Sequence, residues 1–259
     1  MIVTTAGRAT SELVTKAKVV AEKYHLVYRV RNGVSVDAMK QQYHDDIVVV
    51  GKEQLFIAPK NSDKKLFFHP NMAMVRAKRI FNGNTDPLIE AARLKEGMSF
   101  LDCTLGLASD SIMASLAVGE SGTVCGIEGN PLLFLLVTEG LTTCVSGNQY
   151  LDQAMRKIKT VNGDHFSYLL QAETNSFDVV YLDPMFHSTI PTSNGIQSIR
   201  GEALFTDVTT ELIAEAKRVA RKRVILKDHW TSTRFATLGF QQLKRKSSLF
   251  HYGVIEVKV

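Results

Sequence analysis

The sequence predicts an α/β protein: a parallel, doubly wound sheet closed by an antiparallel hairpin, preceded by a small α/β domain. Three observations predict it. From Thr85 onward, short apolar runs alternate with segments of helical period, the pattern of βαβ units covered on both faces. Successive apolar runs end at or beside an acid: Asp102, Glu128, Asp164 and Asp183. The last two runs, at 240–246 and 250–257, read as an antiparallel pair.

In the first part, 2–5 reads as a strand. A helix capped by Ser11 follows to Lys23, with Leu13, Ala17, Val20, Ala21 and Tyr24 at helical spacing. Residues 26–30 are a strand, 36–43 a short helix, 47–50 and 55–57 a hairpin, and 66–69 a further strand. NMAMVRAKRI (71–80) carries Arg76, Lys78 and Arg79, and the polar FNGNTDP (81–87) is the expected connector. The expected domains are therefore 1–84 and 85–259.

Beyond the connector, Pro87 opens a helix through 94. A strand at 98–102 is followed by a turn at Gly106 and a helix at 109–117. The strand at 123–127 is followed by a helix that Asn130 caps and Pro131 begins. The strands at 158–162 and 177–182 flank a helix at 166–172. A long helix at 206–220 then leads to a fifth strand at 223–227.

Composition sets the bounds. The 259 residues are 45% hydrophobic and 22% charged, enough to build a core and too apolar for wholesale disorder. A formal charge of +5 and a pI of about 9.0 lean toward anionic partners without identifying one. The opening MIVTTAGRATSELV lacks the basic start and apolar core of a secretory signal, and the apolar run at 132–137 is too short for a bilayer. A cytoplasmic protein without membrane contact is expected. Cys103, Cys125 and Cys144 have no C-x-x-C spacing and read as reduced structural thiols. The scattered histidines have no metal-ligand spacing, so no metal is assigned.

In a doubly wound sheet, ligands bind beyond the carboxyl ends of the strands. Those positions hold Asp102, Thr104, Gly106, Ala108 and Asp110 after the first strand, and Glu128, Gly129 and Asn130 after the second. Asp164, His165 and Phe166 follow the third, and Asp183, Pro184 and Phe186 the fourth. A dinucleotide site needs G-x-G-x-x-G so that backbone can approach a pyrophosphate. Here Gly106 stands alone, and Asp110 opposes a phosphate. The acids suit S-adenosylmethionine, which carries an ammonium and a sulfonium but no phosphate. Glu128 can accept both ribose hydroxyls, Asp164 can reach the adenine amino group, and Phe166 can pack near the ring. Each position also has a plain structural reading: Asp110 as a first-turn acid, Asp164 as a helix N-cap, Asp183-Pro184 as a turn.

The order of these motifs resembles the class I S-adenosylmethionine-dependent methyltransferases, whose sheet is Rossmann-like. VVYLDPMF resembles the Asp/Asn-Pro-x-aromatic motif of enzymes that methylate exocyclic amines of bases. A carboxylate at Asp183 and the Pro184 carbonyl can accept the amine's hydrogens and aim its lone pair, while Phe186 stacks on the base. DCTLGLASDSIMASL, IEGNPLLFLLVTEGL and LDPMF, with KLFFHPNMAMVRAKRI and KRVILKDHW, are similar to the bacterial small-subunit ribosomal RNA guanine-N2 methyltransferases. This resemblance implies guanine-N2 methylation of ribosomal RNA, free or in the small subunit. It also implies substrate contacts from Arg76, Lys78 and Arg79. Lys227, at the end of the fifth strand and on the side of Asp183, reads either as a phosphate or substrate contact or as a partner in an ion pair at the site rim. The sequence departs from the family at Ala108, Ser109, Gly129 and the non-basic loop 187–201, which puts the RNA target in doubt. A methyltransferase of a small metabolite and an RNA-binding protein with a vestigial cofactor site remain alternatives. The oligomeric state is left open.

Overall fold

A computed structural model describes residues 1–184, 208–246 and 248–258. These residues fall into two compact units, one of Met1–His69 with Leu132–Cys144, the other of the remaining described chain.

The first unit contains β1 (Ile2–Thr5), α1 (Ser11–Lys23), β2 (Val27–Tyr28), α2 (Val36–Tyr43), β3 (Ile47–Val50), β4 (Leu55–Ala58) and β5 (Leu66–Phe67). Its sheet runs β2-β1-β3-β4-β5, parallel on the β1 side and antiparallel from β3 onward. IVVV at β3 is buried at every position because it lies between two strands. The cap of α1 is Thr10, not Ser11: the Thr10 hydroxyl accepts from the Leu13 amide at 3.3 Å.

After β5 the chain forms α3 (Asn71–Phe81), α4 (Pro87–Ala92), β6 (Ser99–Asp102), α5 (Ser109–Val118), β7 (Thr123–Glu128), α6 (Pro131–Thr143), α7 (Gln149–Lys157), β8 (Lys159–Asn162), α8 (His165–Gln171) and β9 (Phe177–Leu182); of these, α6 belongs to the first unit. After the undescribed stretch come α9 (Thr210–Val219), β10 (Ala220–His229), α10 (Arg234–Thr237), β11 (Gln241–Leu243) and β12 (Phe250–Glu256). The second sheet runs β8-β7-β6-β9-β10-β12-β11. It is parallel from β8 to β10, and β12 and β11 close it as the expected antiparallel pair. This is a Rossmann-like arrangement. Strand order reverses between β6 and β9, the switch point where such sheets open a ligand crevice.

Side-chain alternation sorts the two faces of this sheet. Leu101, Val180, Leu182, Val224 and Leu226 share a buried cluster with Leu212, Ile213 and Ala216 of α9. Phe100 and Tyr181 point the other way and stack on each other at 5.6 Å.

The N-terminal stretch of the first unit ends at His69, and α3 beyond it packs with α5 and is ion-paired to it. Two segments are more regular than the sequence reading has them. The segment 149–157 is helical: Asn148 caps it at 3.0 Å, and Leu151, Ala154 and Met155 form its buried face. The fifth parallel strand is longer than expected and reaches His229. No helix among the described residues is long and apolar enough to cross a membrane.

Candidate active site

The alternation that sorts the core also builds the site. On β6, β9 and β10 the residues two beyond Phe100, Tyr181 and Ile225 are Asp102, Asp183 and Lys227. β9 and β10 are parallel neighbours with Tyr181 beside Ile225 and Leu182 beside Leu226, so the same register brings Lys227 next to Asp183. The Lys227 Nζ donates to Asp183 Oδ2 at 2.6 Å and to Asp110 Oδ2 at 3.0 Å.

Asp110 is the hub of this cluster. Besides Lys227, it accepts from the Tyr181 hydroxyl at 2.7 Å and from Arg76 Nη1 at 2.5 Å. Arg76 in turn holds both oxygens of Asp86, at 2.8 and 2.9 Å, and Asp86 caps α4 through the Leu88 amide at 3.0 Å. Burial opposes ionisation of Asp110, but Lys227 and Arg76 outweigh it and hold the carboxyl well below its usual range. Burial pushes Asp183 up, and Lys227 only partly offsets it. Lys227 is held well above its ordinary value, since the two carboxylates overcome its desolvation.

Asp102 is 1% exposed. It accepts from the Thr104 amide at 3.0 Å, the Thr104 hydroxyl at 3.3 Å and the Ser111 hydroxyl at 2.6 Å. Thr104 Oγ1 accepts in turn from the Asp183 amide at 2.7 Å, tying the ends of β6 and β9 together. Burial raises Asp102 to about 7 despite its donors.

Glu128, at the end of β7, is held differently. Its oxygens accept from two backbone amides, Gly106 at 3.1 Å and Asn130 at 2.9 Å. Burial raises its carboxyl and these amides counter the rise. The loop that brings Gly106 there needs two left-handed residues, Gly106 at φ 52° and Ala108 at φ 60°. It also needs Gly126 in β7, where a Cβ would collide with Leu105. At the next strand end Asp164 caps α8, accepting from the Ser167 amide at 2.7 Å. The Nε2 of His165 is buried without a hydrogen-bond partner, and burial lowers its pKa, so the ring is neutral. Phe166 packs against the α9-side core.

The sequence-derived residues thus divide. Glu128, Gly106, Asn130, Asp183 and Pro184 gather at the strand ends as expected, and Asp164 and His165 follow β8. Asp102 and Asp110 are buried and engaged by protein donors. The Arg76 guanidinium is ion-paired to Asp86 and Asp110, whereas Lys78 and Arg79 are exposed. Lys227 has its ammonium on Asp183 and Asp110 rather than on solvent. Phe186 and the loop 187–201 lie outside the described residues. Reading the sequence missed Tyr181, Ser111 and Asp86. Strand alternation from Asp183 points to Tyr181, and an Asp before Pro87 is a helix-cap signal. Cys103 and Cys125 are buried, and burial raises both thiols.

The donor set fits S-adenosylmethionine. A carboxylate ringed by amides accepts hydroxyls, an orphaned His165 nitrogen awaits a polar partner, and the single glycine turn offers no pyrophosphate cradle.

Comparison with known proteins agrees. Residues 34–237 match the SAM_MT family of SAM-dependent methyltransferases. The chain is 47% identical over 255 residues to the uncharacterized protein YpiP of Bacillus subtilis (strain 168), covering 98% of this chain and 99% of that one. It is 30% identical over 158 residues to ribosomal RNA small subunit methyltransferase J of Acinetobacter baumannii (strain AYE), covering 55% of each chain. The crystal structure of the SAM-dependent methyltransferase NGO1261 from Neisseria gonorrhoeae superposes with a TM-score of 0.66 at 15% identity, covering 99% of this chain and 96% of that one.

Proposed function

Because the chain belongs to the SAM-dependent methyltransferase family, with S-adenosylmethionine as its cofactor, we propose that it methylates an exocyclic amine of RNA, guanine N2 of ribosomal RNA being the preferred acceptor. The observation that carries this reading is Asp183-Pro184 at the end of β9, beside the switch point, with the Asp183 carboxylate oriented by Lys227. Bound S-adenosylmethionine supplies a methyl group made electrophilic by its sulfonium. In this reading Glu128 accepts the ribose hydroxyls, while Asp164 and His165 address the adenine. Asp183 and the Pro184 carbonyl accept hydrogens from the substrate amine, which localises its lone pair on nitrogen.

RNA is favoured over a small metabolite by the outer side of α3. Lys78 and Arg79 are exposed there, and Phe81 at 46% exposure meets Tyr150 at 69%, with ring centroids 6.2 Å apart. Cations beside open aromatic faces suit a nucleic-acid strand. The partial match to a ribosomal RNA methyltransferase supports the same choice.

The test is calorimetric titration with S-adenosylhomocysteine, followed by tritiated methyl transfer to RNA from a strain lacking the protein. Binding with label in guanine N2 is the expected result. Binding without label in RNA overturns the acceptor and moves the search to metabolites.

A further inference from the structure

We infer that Lys227 is a positioning residue: it clamps Oδ2 of Asp183 against Asp110 and thereby fixes the orientation in which the Asp183 carboxylate receives a substrate amine. This inference rests on the proposed role of Asp183 in amine methylation. Of the two readings the sequence leaves open for Lys227, it takes the ion pair rather than the substrate contact.

The geometry carries it. An ammonium has three donors, and two of them are directed at Asp183 and Asp110. The far side of the clamp is itself fixed. Asp110 is pinned by Tyr181 of β9 and Arg76 of α3, and Arg76 is locked on both oxygens of Asp86, the cap of α4. A line of charge-assisted bonds thus runs from the start of α4 through α3, α5 and β10 to Asp183. Side-chain exposure along it is 3% at Asp86, 17% at Arg76, 9% at Asp110, 22% at Lys227 and 24% at Asp183. The reactive end is the open one, and its anchor is buried. Without Lys227, Asp183 would share the site with a second carboxylate and nothing between them, which disfavours its charged form and frees its rotamer. The line holds three acids (Asp86, Asp110, Asp183) and two bases (Arg76, Lys227). The excess acid suits a hydrogen-bond donor such as an amine and disfavours a phosphate at this point.

The test uses the full chain with 13C-labelled aspartate carboxyls, the Asp183 signal being identified by its loss in Asp183→Asn. Among the described residues, the charged and titratable groups around Asp183 are Lys227 and Asp228 of β10, Asp110 of α5, Tyr181 of β9, Asp102 of β6, Arg76 and Asp86 beyond Asp110, and Tyr252 of β12. Lys227→Met should move the Asp183 titration upward by about 1 pH unit or more, and Lys227→Arg by less than about half of that. In turnover, Lys227→Met should lower kcat by about 100-fold, shift the acidic limb of the pH profile upward, and leave S-adenosylhomocysteine affinity within about threefold. Lys227→Arg should recover at least about a tenth of the wild-type rate. An unmoved Asp183 titration in Lys227→Met overturns the clamp. Should that variant not fold, Lys227→Gln reads the same shift. The carboxyl titration needs no substrate. A wild-type chain that does not methylate RNA would therefore defeat the proposed acceptor while the clamp is still decided by the titration.

Discussion

Asp183 and Glu128 are carboxylates at the ends of β9 and β7 in the same sheet, yet they are held by opposite means. Asp183 is bound by a lysine whose other partner belongs to a line of five charged side chains. Among the described residues, Glu128 accepts from backbone amides, Gly106 and Asn130. A backbone anchor is set by the fold and hardly varies with pH or side-chain rotamer. A charged anchor can hold an acid ionised beside another acid, which amides alone do less well. The difference teaches that the Glu128 end of this crevice is organised by loop geometry and the Asp183 end by electrostatics.

The sharpest way to break that comparison is to remove each acid. Asp183→Ala should lower turnover by about 1,000-fold or more while S-adenosylhomocysteine affinity stays within about threefold, as expected for a group that acts on the acceptor. Comparable loss of cofactor affinity would mean that the two stations are not separate. Glu128→Ala should do the converse. Losing hydrogen bonds to a charged acceptor costs about 1.5–3 kcal/mol, or about 10–100-fold in the calorimetric Kd. At saturating cofactor most of the rate should return.

Asp102 stands between the stations and sharpens the contrast through pH. Burial lifts its folded-state value from 3.8 to about 7. The folded chain therefore holds this proton more tightly than the unfolded chain. The proton's contribution to stability is complete below about 4 and is lost as pH rises through about 7. Asp102→Asn imitates the protonated form and should flatten the fall in Tm between pH 5 and 8. A parallel fall in both proteins would place the pH sensitivity in the charged line instead.

How far this was legible in the sequence follows the range of the interactions. SFLD and FDVVYL announce their strands through short apolar runs, with the acids Asp102 and Asp183 at or just beyond their ends. Helix 149–157 escaped because QYLDQAMRK has only three buried positions and a polar remainder, and its cap Asn148 sits in what reads as a turn, SGN. The ion pairs of Arg76 escaped for a related reason. Beside Lys78 and Arg79 it reads as part of a basic surface, although it lies between Ala73 and Ala77, the buried residues of α3. Its partners are 10 and 34 residues away, and no periodicity reports a contact of that separation. The alignment of Lys227 with Asp183 needs the β9–β10 register, which the sequence suggests only after the fold is granted.

The smallest effect concerns the loop that serves Glu128. Ala108 is fully buried at φ 60°, where a side chain costs about 1–2 kcal/mol relative to the right-handed region. Ala108→Gly relieves that strain but loses a buried methyl, worth about 0.8 kcal/mol, and gains chain entropy when unfolded. The terms nearly cancel, so stability in urea should stay within about 1 kcal/mol of wild type. Ala114, equally buried but inside α5, has no strain to relieve. Ala114→Gly loses the same methyl and about 1 kcal/mol of helix propensity, for a fall of about 2 kcal/mol. If the two variants fell equally, the left-handed turn at Ala108 would not be storing strain. If Ala108→Gly were the more stable by more than 1 kcal/mol, the loop that presents Gly106 to Glu128 would be shown to be held against its own backbone preference, about as the amide anchor requires.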